Sequence, residues 1–508
     1  MHSIEPDPRG QSPSHERPDP RRARWIAMLA LFCATVALGA LTRSGVGTAG
    51  PRTAIASPGL HFFAPGTSPV SFEGHLDRAA VLQGTEGIVH MQLVMRGEER
   101  PDAVPERLPT DLVVVLDRSG SMRGDKLRDA RAAIRELLAR LGPEDRFALV
   151  TYSNQAAVRI PLSPATPQSR DSWFGAVASI RASGATNLSA GLDSGLSIVE
   201  ASLADRRVPR VILISDGLAN RGDSTRRGLV AIAGRAARGE FTLSSIGVGQ
   251  DFNEAVMTAI ADAGTGNYYY LENSALLANV FAAEFDAARS TVASALELRI
   301  EPASGVRVVE AAGYPLGVEP GVAVIRPGAL FAGQERRIWV TLALSRSRVG
   351  QYELGHFALA YTDGDRRRMT SFSSTPVVGL VAERADFLAG VDVPVWEKSV
   401  SEEGYGRLQQ SVSEYVRGGD LKRANEEIDR YVRSYSELND SLRSKKVAEG
   451  LARARALKGE VGEAFDGPRA PAKRNAFSKD KSYQARKLRR SGAAPDPTTD
   501  PNTEGGSR

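Results

Sequence analysis

The sequence predicts a doubly wound α/β domain with a mostly parallel sheet, inserted in a β-sandwich and followed by a small C-terminal helical bundle. From Asp111 onward, apolar strand-like runs alternate with helix-like segments, which is typical of a parallel sheet covered by helices. A period of two, typical of half-buried strands, appears on both sides of that region. Apolar residues then recur at helical spacing over 398–466. Because 508 residues are too many for one hydrophobic core, several domains are expected.

We assign the α/β domain to residues 105–289. Its first strand, Leu112 to Leu116, is wholly apolar, as expected for a parallel strand that is buried on both faces. The helix that follows carries apolar residues every three or four positions, beginning with Leu127 and Ala130. Later strands are predicted near 147–152, 211–214, 241–248 and 267–271, and later helices near 170–181, 188–204, 225–238, 253–263 and 274–289.

Residues 69–104 and 290–382 are expected to form one β-sandwich. In the first segment, the apolar residues Val89, Met91 and Leu93 occupy every second position. Apolar residues recur at the same spacing in the second segment. A few isolated strands cannot bury an apolar face by themselves. We therefore expect the first segment to complete the sandwich of the second, with the α/β domain inserted between the two halves.

The N-terminal region contains one strongly apolar run, residues 25–41, which predicts a transmembrane anchor or an export signal. Its length does not decide between them, because a helix of 17 residues spans about 26 Å and a bilayer core is about 30 Å thick. The arginines before it predict that residues 1–24 are cytoplasmic and that the body lies outside the cytoplasmic membrane, anchored by a single pass or secreted. Residues 42–68 are expected to be a flexible linker. The only cysteine, Cys33, lies in the apolar run, so no disulfide is expected in the body.

The C-terminal region is predicted to contain a helical bundle at 398–466 and a disordered basic tail at 467–508. The tail is rich in charge, with ten Lys or Arg against four Asp or Glu. Since the whole chain carries a formal charge of only +5, the rest of it is close to neutral. A nucleic-acid partner is therefore not expected.

Oxygen-bearing side chains follow two of the predicted strands. Asp117, Ser119 and Ser121 form a D-x-S-x-S pattern directly after the first strand, Thr186 lies in a Gly-Ala-Thr-Asn loop, and Asp216 lies in a Ser-Asp-Gly turn after another apolar strand. Ligands bind at the carboxyl ends of the strands in open α/β sheets. Any one of these residues could be an ordinary helix cap or turn residue, but their order in this context indicates a site for a hard divalent cation. Such oxygens suit Mg²⁺, Mn²⁺ or Ca²⁺ rather than zinc or copper.

Residues 111–289 resemble a von Willebrand factor type A domain with a complete metal-ion-dependent adhesion site, of the kind found in exported bacterial proteins. The resemblance rests on the three motifs above and implies a Rossmann-like fold. It also implies direct ligation by the hydroxyls of Ser119, Ser121 and Thr186, with contacts from Asp117 and Asp216 made largely through water. Mg²⁺ is the ion implied first, with Mn²⁺ or Ca²⁺ as alternatives. A partner protein's Asp or Glu would fill the open coordination position.

The leading functional hypothesis is a non-enzymatic, metal-dependent protein-binding module at the cell envelope. One alternative is a structural assembly scaffold in which the metal only stabilises the domain, and another is a hydrolase. The hydrolase is disfavoured because all six histidines lie outside 111–289, so no serine–histidine pair can form within the domain. A phosphatase of the aspartyl-nucleophile kind would need an Asp where Ser119 stands, and the chain has no phosphate-binding loop motif. The identity of the partner and the oligomeric state stay open.

Overall fold

The computed structural model describes residues 59–65, 69–99, 108–203 and 207–490. The predicted anchor or signal segment at 25–41 lies outside these ranges, as does most of the predicted linker. Within the four ranges, every helix is too short or too polar to cross a membrane.

Among the residues that the structure describes, four strands precede the α/β domain. They are β1 (His61–Phe63), β2 (Val70–Leu76), β3 (Ala80–Leu82) and β4 (Ile88–Gly97). In β2 and β4, apolar side chains on one face of each strand are buried, as the period of two predicts. By themselves, these strands would leave an apolar face exposed to solvent, so another part of the chain must cover it.

The α/β domain alternates strands and helices around a six-stranded sheet. Its elements are β5 (Thr110–Asp117), α1 (Asp125–Arg140), β6 (Arg146–Tyr152), β7 (Ala156–Pro164), α2 (Pro167–Ala178), α3 (Leu188–Glu200), β8 (Val208–Ser215), α4 (Arg226–Arg238), β9 (Thr242–Val248), α5 (Glu254–Ala263), β10 (Thr265–Leu271) and α6 (Leu277–Arg289). The strand order is β10-β9-β8-β5-β6-β7, and all strands are parallel except β7, which runs antiparallel to β6.

Every residue of β5 is buried, because helices cover both faces of the sheet. Leu112, Val114 and Leu116 pack with α1, α2 and α6 on one face, and Val113 and Val115 pack with α3, α4 and α5 on the other. Strand β5 is thus the centre of the domain, with β8 beside it.

Nine strands of the described chain follow the α/β domain. They are β11 (Thr291–Pro302), β12 (Val306–Ala311), β13 (Gly317–Glu319), β14 (Val322–Phe331), β15 (Glu335–Leu344), β16 (Gly350–Glu353), β17 (Gly355–Asp363), β18 (Arg366–Ser371) and β19 (Val377–Val381). One sheet has the order β1-β2-β4-β15-β12, the facing sheet has the order β13-β14-β11-β17-β18, and β3 joins β16 and β19 in a small third sheet.

The insertion of the α/β domain into the sandwich is confirmed by strand pairing across the domain. Strand β4 pairs antiparallel with β15, with Val89 opposite Leu342 and Met91 opposite Val340. Between the two halves, Phe72 stacks on Phe372 with ring centroids 4.7 Å apart. The residues before and after the α/β domain thus share one core.

Helices complete the described part of the chain: α7 (Arg384–Ala389), α8 (Val393–Lys398), a π-helical turn (Ser399–Gly404), α9 (Tyr405–Arg417), α10 (Leu421–Leu442), α11 (Lys445–Phe465) and α12 (Ala470–Arg489). The bundle packs on Trp396, Leu408, Ile428 and Leu457, all of them buried. It therefore begins a few residues before the predicted start at 398.

The predicted disordered tail at 467–508 is wrong for the part that the structure describes, because α12 is an ordered helix packed against α9 and the α/β domain. Its positive charges are paired with acidic side chains from distant parts of the chain. Arg489 donates to Glu403 at 2.9 Å, and Arg490 donates to Asp262 at 2.6 Å. A composition rich in positive charge predicts disorder only when such partners are lacking.

Candidate metal centre

Three loops meet at the carboxyl edge of the central sheet, where β5 and β8 are neighbours. The first leaves β5 at Asp117, the second contains Thr186 just before α3, and the third leaves β8 and contains Asp216. The carboxyl ends of parallel strands share one edge of the sheet. All five ligands predicted from the sequence therefore lie on these three loops.

The carboxylate of Asp117 is fully buried and holds the first loop in place. One of its oxygens accepts a hydrogen bond from the backbone N–H of Ser119 at 2.8 Å, and the other accepts one from the hydroxyl of Ser215 at 3.0 Å. Burial raises the pKa of Asp117 to about 6, and the neighbouring Asp216 acts in the same direction against the hydrogen bonds from Ser119 and Ser215. Asp117 and Asp216 are both buried and repel each other, so a cation near them would be favourable.

The hydroxyl of Ser121 lies between the hydroxyl of Ser119 and the carboxylate of Asp216. The two hydroxyl oxygens are 3.0 Å apart, and the Ser121 hydroxyl donates to Asp216 at 2.7 Å. Ser119 directly precedes a short 3-10 turn, Gly120–Met122, which contains Ser121 and is anchored by the buried side chain of Met122. Ser119 is buried and Ser121 is exposed, so this row of oxygens runs from the domain interior to its surface.

The second loop brings Thr186 to the same place. The backbone N–H of Thr186 donates to the side-chain carbonyl of Asn220 at 2.9 Å, and its carbonyl accepts from the N–H of Asn220 at 3.0 Å. A β-carbon added to Gly217 would lie 3.2 Å from the hydroxyl oxygen of Ser121 and 3.5 Å from that of Thr186. Both hydroxyls thus border one small space beside the backbone of Gly217.

Backbone hydrogen bonds tie the first and second loops together. The N–H of Gly120 donates to the carbonyl of Gly184 at 3.0 Å, and the N–H of Ser183 donates to the carbonyl of Arg118 at 2.8 Å. These bonds join loops that are more than sixty residues apart in sequence, so the hydroxyls are held in place before any ligand arrives.

Lys126 also belongs to this centre, although the sequence reasoning did not include it. Its ammonium group donates to the second carboxylate oxygen of Asp216 at 2.6 Å. The only sequence signal is a lysine in the first turn of a helix, where the helix dipole disfavours positive charge. That signal is too general to identify a site without the structure.

The chemistry of these side chains fits a hard divalent cation. Hydroxyl and carboxylate oxygens are the donors that Mg²⁺ and Ca²⁺ prefer, and the ion pair with Lys126 shows that Asp216 is directed toward a positive charge. The described part of the chain has no group of three or more His, Cys, Asp or Glu side chains suited to a metal. The donor set at the edge of β5 and β8 consists instead of three hydroxyls and two carboxylates.

Comparison with known proteins gives the same family for the α/β region. Residues 111–283 match the family model of the von Willebrand factor type A domain, so the chain contains such a domain. A solved structure described as von Willebrand factor type A from Catenulispora acidiphila aligns with a TM-score of 0.61 at 18% identity, covering 83% of this chain and 98% of that chain. At this level of identity the likeness is one of fold.

Two relatives in the curated proteins differ in how much of their length is shared. An uncharacterized protein of Synechocystis sp. is 25% identical over 343 residues, which are 66% of this chain and 80% of that protein. The inter-alpha-trypsin inhibitor heavy chain H4 of Homo sapiens is 29% identical over 160 residues, which are 30% of this chain and 17% of that protein. The second match therefore spans less than a fifth of the human protein.

Proposed function

We propose that the von Willebrand factor type A domain of this chain binds a divalent cation, Mg²⁺ first among them, and through it a carboxylate of a protein partner. The ligands would be those at the edge of β5 and β8: Asp117, Ser119, Ser121, Thr186 and Asp216. The observation that carries the proposal is the continuous row of oxygens in which Ser119, Ser121 and Asp216 lie within 3.0 Å of their neighbours.

The charges of the donors support a role in recognition. The serine and threonine hydroxyls are neutral, and Asp117 already accepts two hydrogen bonds from its own domain. When bound, the divalent cation would supply a concentrated positive charge whose other donors are neutral hydroxyls. Because Ser121 reaches the surface, an anionic side chain of a partner could approach the site directly. An Asp or Glu is the side chain that fits this charge.

The site would act outside the cytoplasmic membrane. This part of the proposal rests on the apolar run at 25–41 and the arginines before it, which lie outside the described residues. The protein would then be held at the cell envelope by a single membrane pass, or be secreted if the segment is cleaved. Reporter fusions at residue 60 test the topology, and activity only in the cytoplasm would contradict it.

Titration of Mg²⁺ and Mn²⁺ into the full chain, purified in detergent, tests metal binding. Ser121→Ala removes a hydroxyl that borders the site, and we expect it to weaken metal binding by about tenfold or more, the usual effect of losing one well-placed polar contact. Ser434→Ala is the matched control, since that exposed hydroxyl bonds only to its own helix α10. Equal affinities of wild type and Ser121→Ala would show that the site is wrongly assigned.

Partner binding distinguishes metal-dependent recognition of a partner from the scaffold function. Pull-down from envelope extracts with Mg²⁺ should capture a partner that a chelator releases, because the partner would bind through the ion. Capture that survives the chelator would favour the scaffold, in which the metal only stabilises the domain. No enzymatic role is proposed, since 111–289 contains no histidine that could activate Ser119 or Ser121.

A further inference from the structure

Lys126 joins the metal centre to helix α1. Its ammonium donates to one carboxylate oxygen of Asp216 at 2.6 Å, while the other oxygen accepts from the Ser121 hydroxyl at 2.7 Å. Asp216 is fully buried and the side chain of Lys126 is 27% exposed. The ion pair therefore lies at the boundary between the domain interior and solvent, where the electrostatic interaction is strong but partly screened.

The position of Lys126 is unfavourable for the helix itself. It lies in the first turn of α1, where the free backbone N–H groups and the helix dipole repel positive charge. The end of its side chain passes close to Gly249, where an added β-carbon would lie 3.4 Å from both the last carbon and the nitrogen. The contact with Asp216 is thus the interaction that offsets the unfavourable position.

We propose that Lys126 is a built-in counter-ion of the metal centre, which weakens metal binding and strengthens the binding of an acidic partner to the loaded centre. This inference rests on the proposed function. Lys126 is a positioning residue in this scheme, because it acts through Asp216 and touches neither the metal nor the partner.

The two effects follow from charge and have opposite signs. Without the lysine, Asp117 and Asp216 would present two negative charges to an incoming cation; with it, one of them is neutralised. A divalent ion therefore binds a less negative centre, and its affinity falls. Once loaded, the centre with Lys126 keeps one net positive charge, whereas the centre without it is neutral. A partner's carboxylate is then attracted more strongly by the centre that contains the lysine.

A purely structural role for Lys126 would give a different pattern. If the lysine only anchored the start of α1, its removal would lower the melting temperature and would weaken metal and partner binding together. If Lys126 is a counter-ion, the same substitution strengthens metal binding and weakens partner binding. The sign of the change in metal affinity thus distinguishes the two roles.

The test compares Lys126→Met with the wild type in the full chain at pH 7.5. Mn²⁺ is titrated calorimetrically, and a short peptide with one Asp, together with its Asn counterpart, is then titrated into the Mn²⁺-saturated protein. We expect Lys126→Met to bind Mn²⁺ about tenfold more tightly and the Asp peptide several-fold more weakly, the scale expected for one unit charge near a partly exposed ion. Lys126→Arg keeps the charge and should resemble the wild type.

Lys422→Met provides the matched control, since that lysine is exposed on helix α10 of the bundle and should leave both affinities unchanged. Equal or weaker Mn²⁺ binding by Lys126→Met overturns this inference while leaving the metal site in place. Absence of Mn²⁺ binding by the wild type overturns the proposed function and this inference together. If Lys126→Met is too unstable to titrate, Lys126→Gln replaces it, because that variant also removes the charge. Metal and peptide affinities of Lys126→Gln equal to those of the wild type would overturn the inference.

Discussion

Replacing Glu254 with Gln should stabilise the protein at pH 8 and change its stability little at pH 5. Glu254 begins helix α5 and lies buried where α12 docks on the α/β domain, 3.3 Å from the guanidinium of Arg417. Burial raises the pKa of Glu254 to about 7 despite the nearby positive charges of Arg417, Lys479 and Arg486. Between pH 4.5 and about pH 7, the folded protein therefore keeps a proton on Glu254 that the unfolded chain has already lost.

The direction of the pH dependence follows from the raised pKa. Below the ordinary value of 4.5 both states are protonated, and the burial of Glu254 carries no ionisation penalty. Between 4.5 and about 7 the unfolded state loses its proton first, so the free energy of unfolding falls as the pH rises. Above that window the loss is complete and amounts to about 3 kcal/mol, whereas at pH 5 it is below about 1 kcal/mol.

Lys479 produces the opposite slope at higher pH. Its ammonium donates to the carbonyl of Phe252 at 2.9 Å and lies over the Phe252 ring, yet burial lowers its pKa to about 8. The folded state loses this proton before the unfolded state does, so stability recovers from about pH 8 upward. The contact of α12 with the α/β domain should therefore be weakest near pH 7 to 8.

Urea unfolding at pH 5 and pH 8, with hydrogen exchange of α5 and α12 as a local measure, tests the Glu254→Gln prediction. The variant should exceed the wild type by about 2 to 3 kcal/mol more at pH 8 than at pH 5. Glu426→Gln, at an exposed position of α10, should show no such difference. The reasoning is refuted if the advantage of Glu254→Gln is the same at both pH values, or if the variant is the less stable protein at pH 8.

Three further outcomes are expected. Asp77→Asn should lower the free energy of unfolding by about 2 kcal/mol at pH 7 and by only somewhat less at pH 3, because, although burial opposes it, Arg78 and His90 hold the pKa of Asp77 so far below its usual value that the folded carboxyl is still ionised at pH 3; chemical unfolding at both pH values measures this. Arg210→Met should cost about 3–5 kcal/mol by leaving Glu284 buried without its ion pair, and thermal unfolding should show recovery when Glu284 is also made apolar. Removing α12 should speed hydrogen exchange in α5 and β10, which it contacts, and unchanged exchange there would contradict the docking role of this helix.

The parts of the fold that depend on local patterns could be predicted from the sequence. Strand β5 is an unbroken apolar run from Leu112 to Leu116 because both of its faces are covered, and that requirement is visible in a few consecutive residues. The loop after it was recognisable because Asp117, Ser119 and Ser121 stand at fixed spacing directly after the strand. Asp216 stands after an apolar strand in the same way, whereas Thr186 precedes a helix and was predicted from its Gly-Ala-Thr-Asn loop.

The parts that were missed either show a weak local pattern or depend on pairing across long distances. Strand β7 buries Ile160 alone, so it shows no period of two. Helix α12 has few apolar positions and is stabilised by ion pairs such as that of Arg489 with Glu403. Lys126 is an ordinary helix residue until Asp216, ninety positions later, is brought beside it. Charge partners so far apart in sequence cannot be identified without the fold.

The insertion of the α/β domain also sets the order in which the chain can complete its structure during synthesis. Val89 in β4 pairs with Leu342 in β15, so about 250 residues must be added before β4 gains that neighbour. At a synthesis rate of about 5–20 residues per second, β4 waits roughly 10 to 50 seconds with one edge unpaired. A strand edge left open for that time can join a second chain, so association between nascent chains is most favoured before β15 has been made.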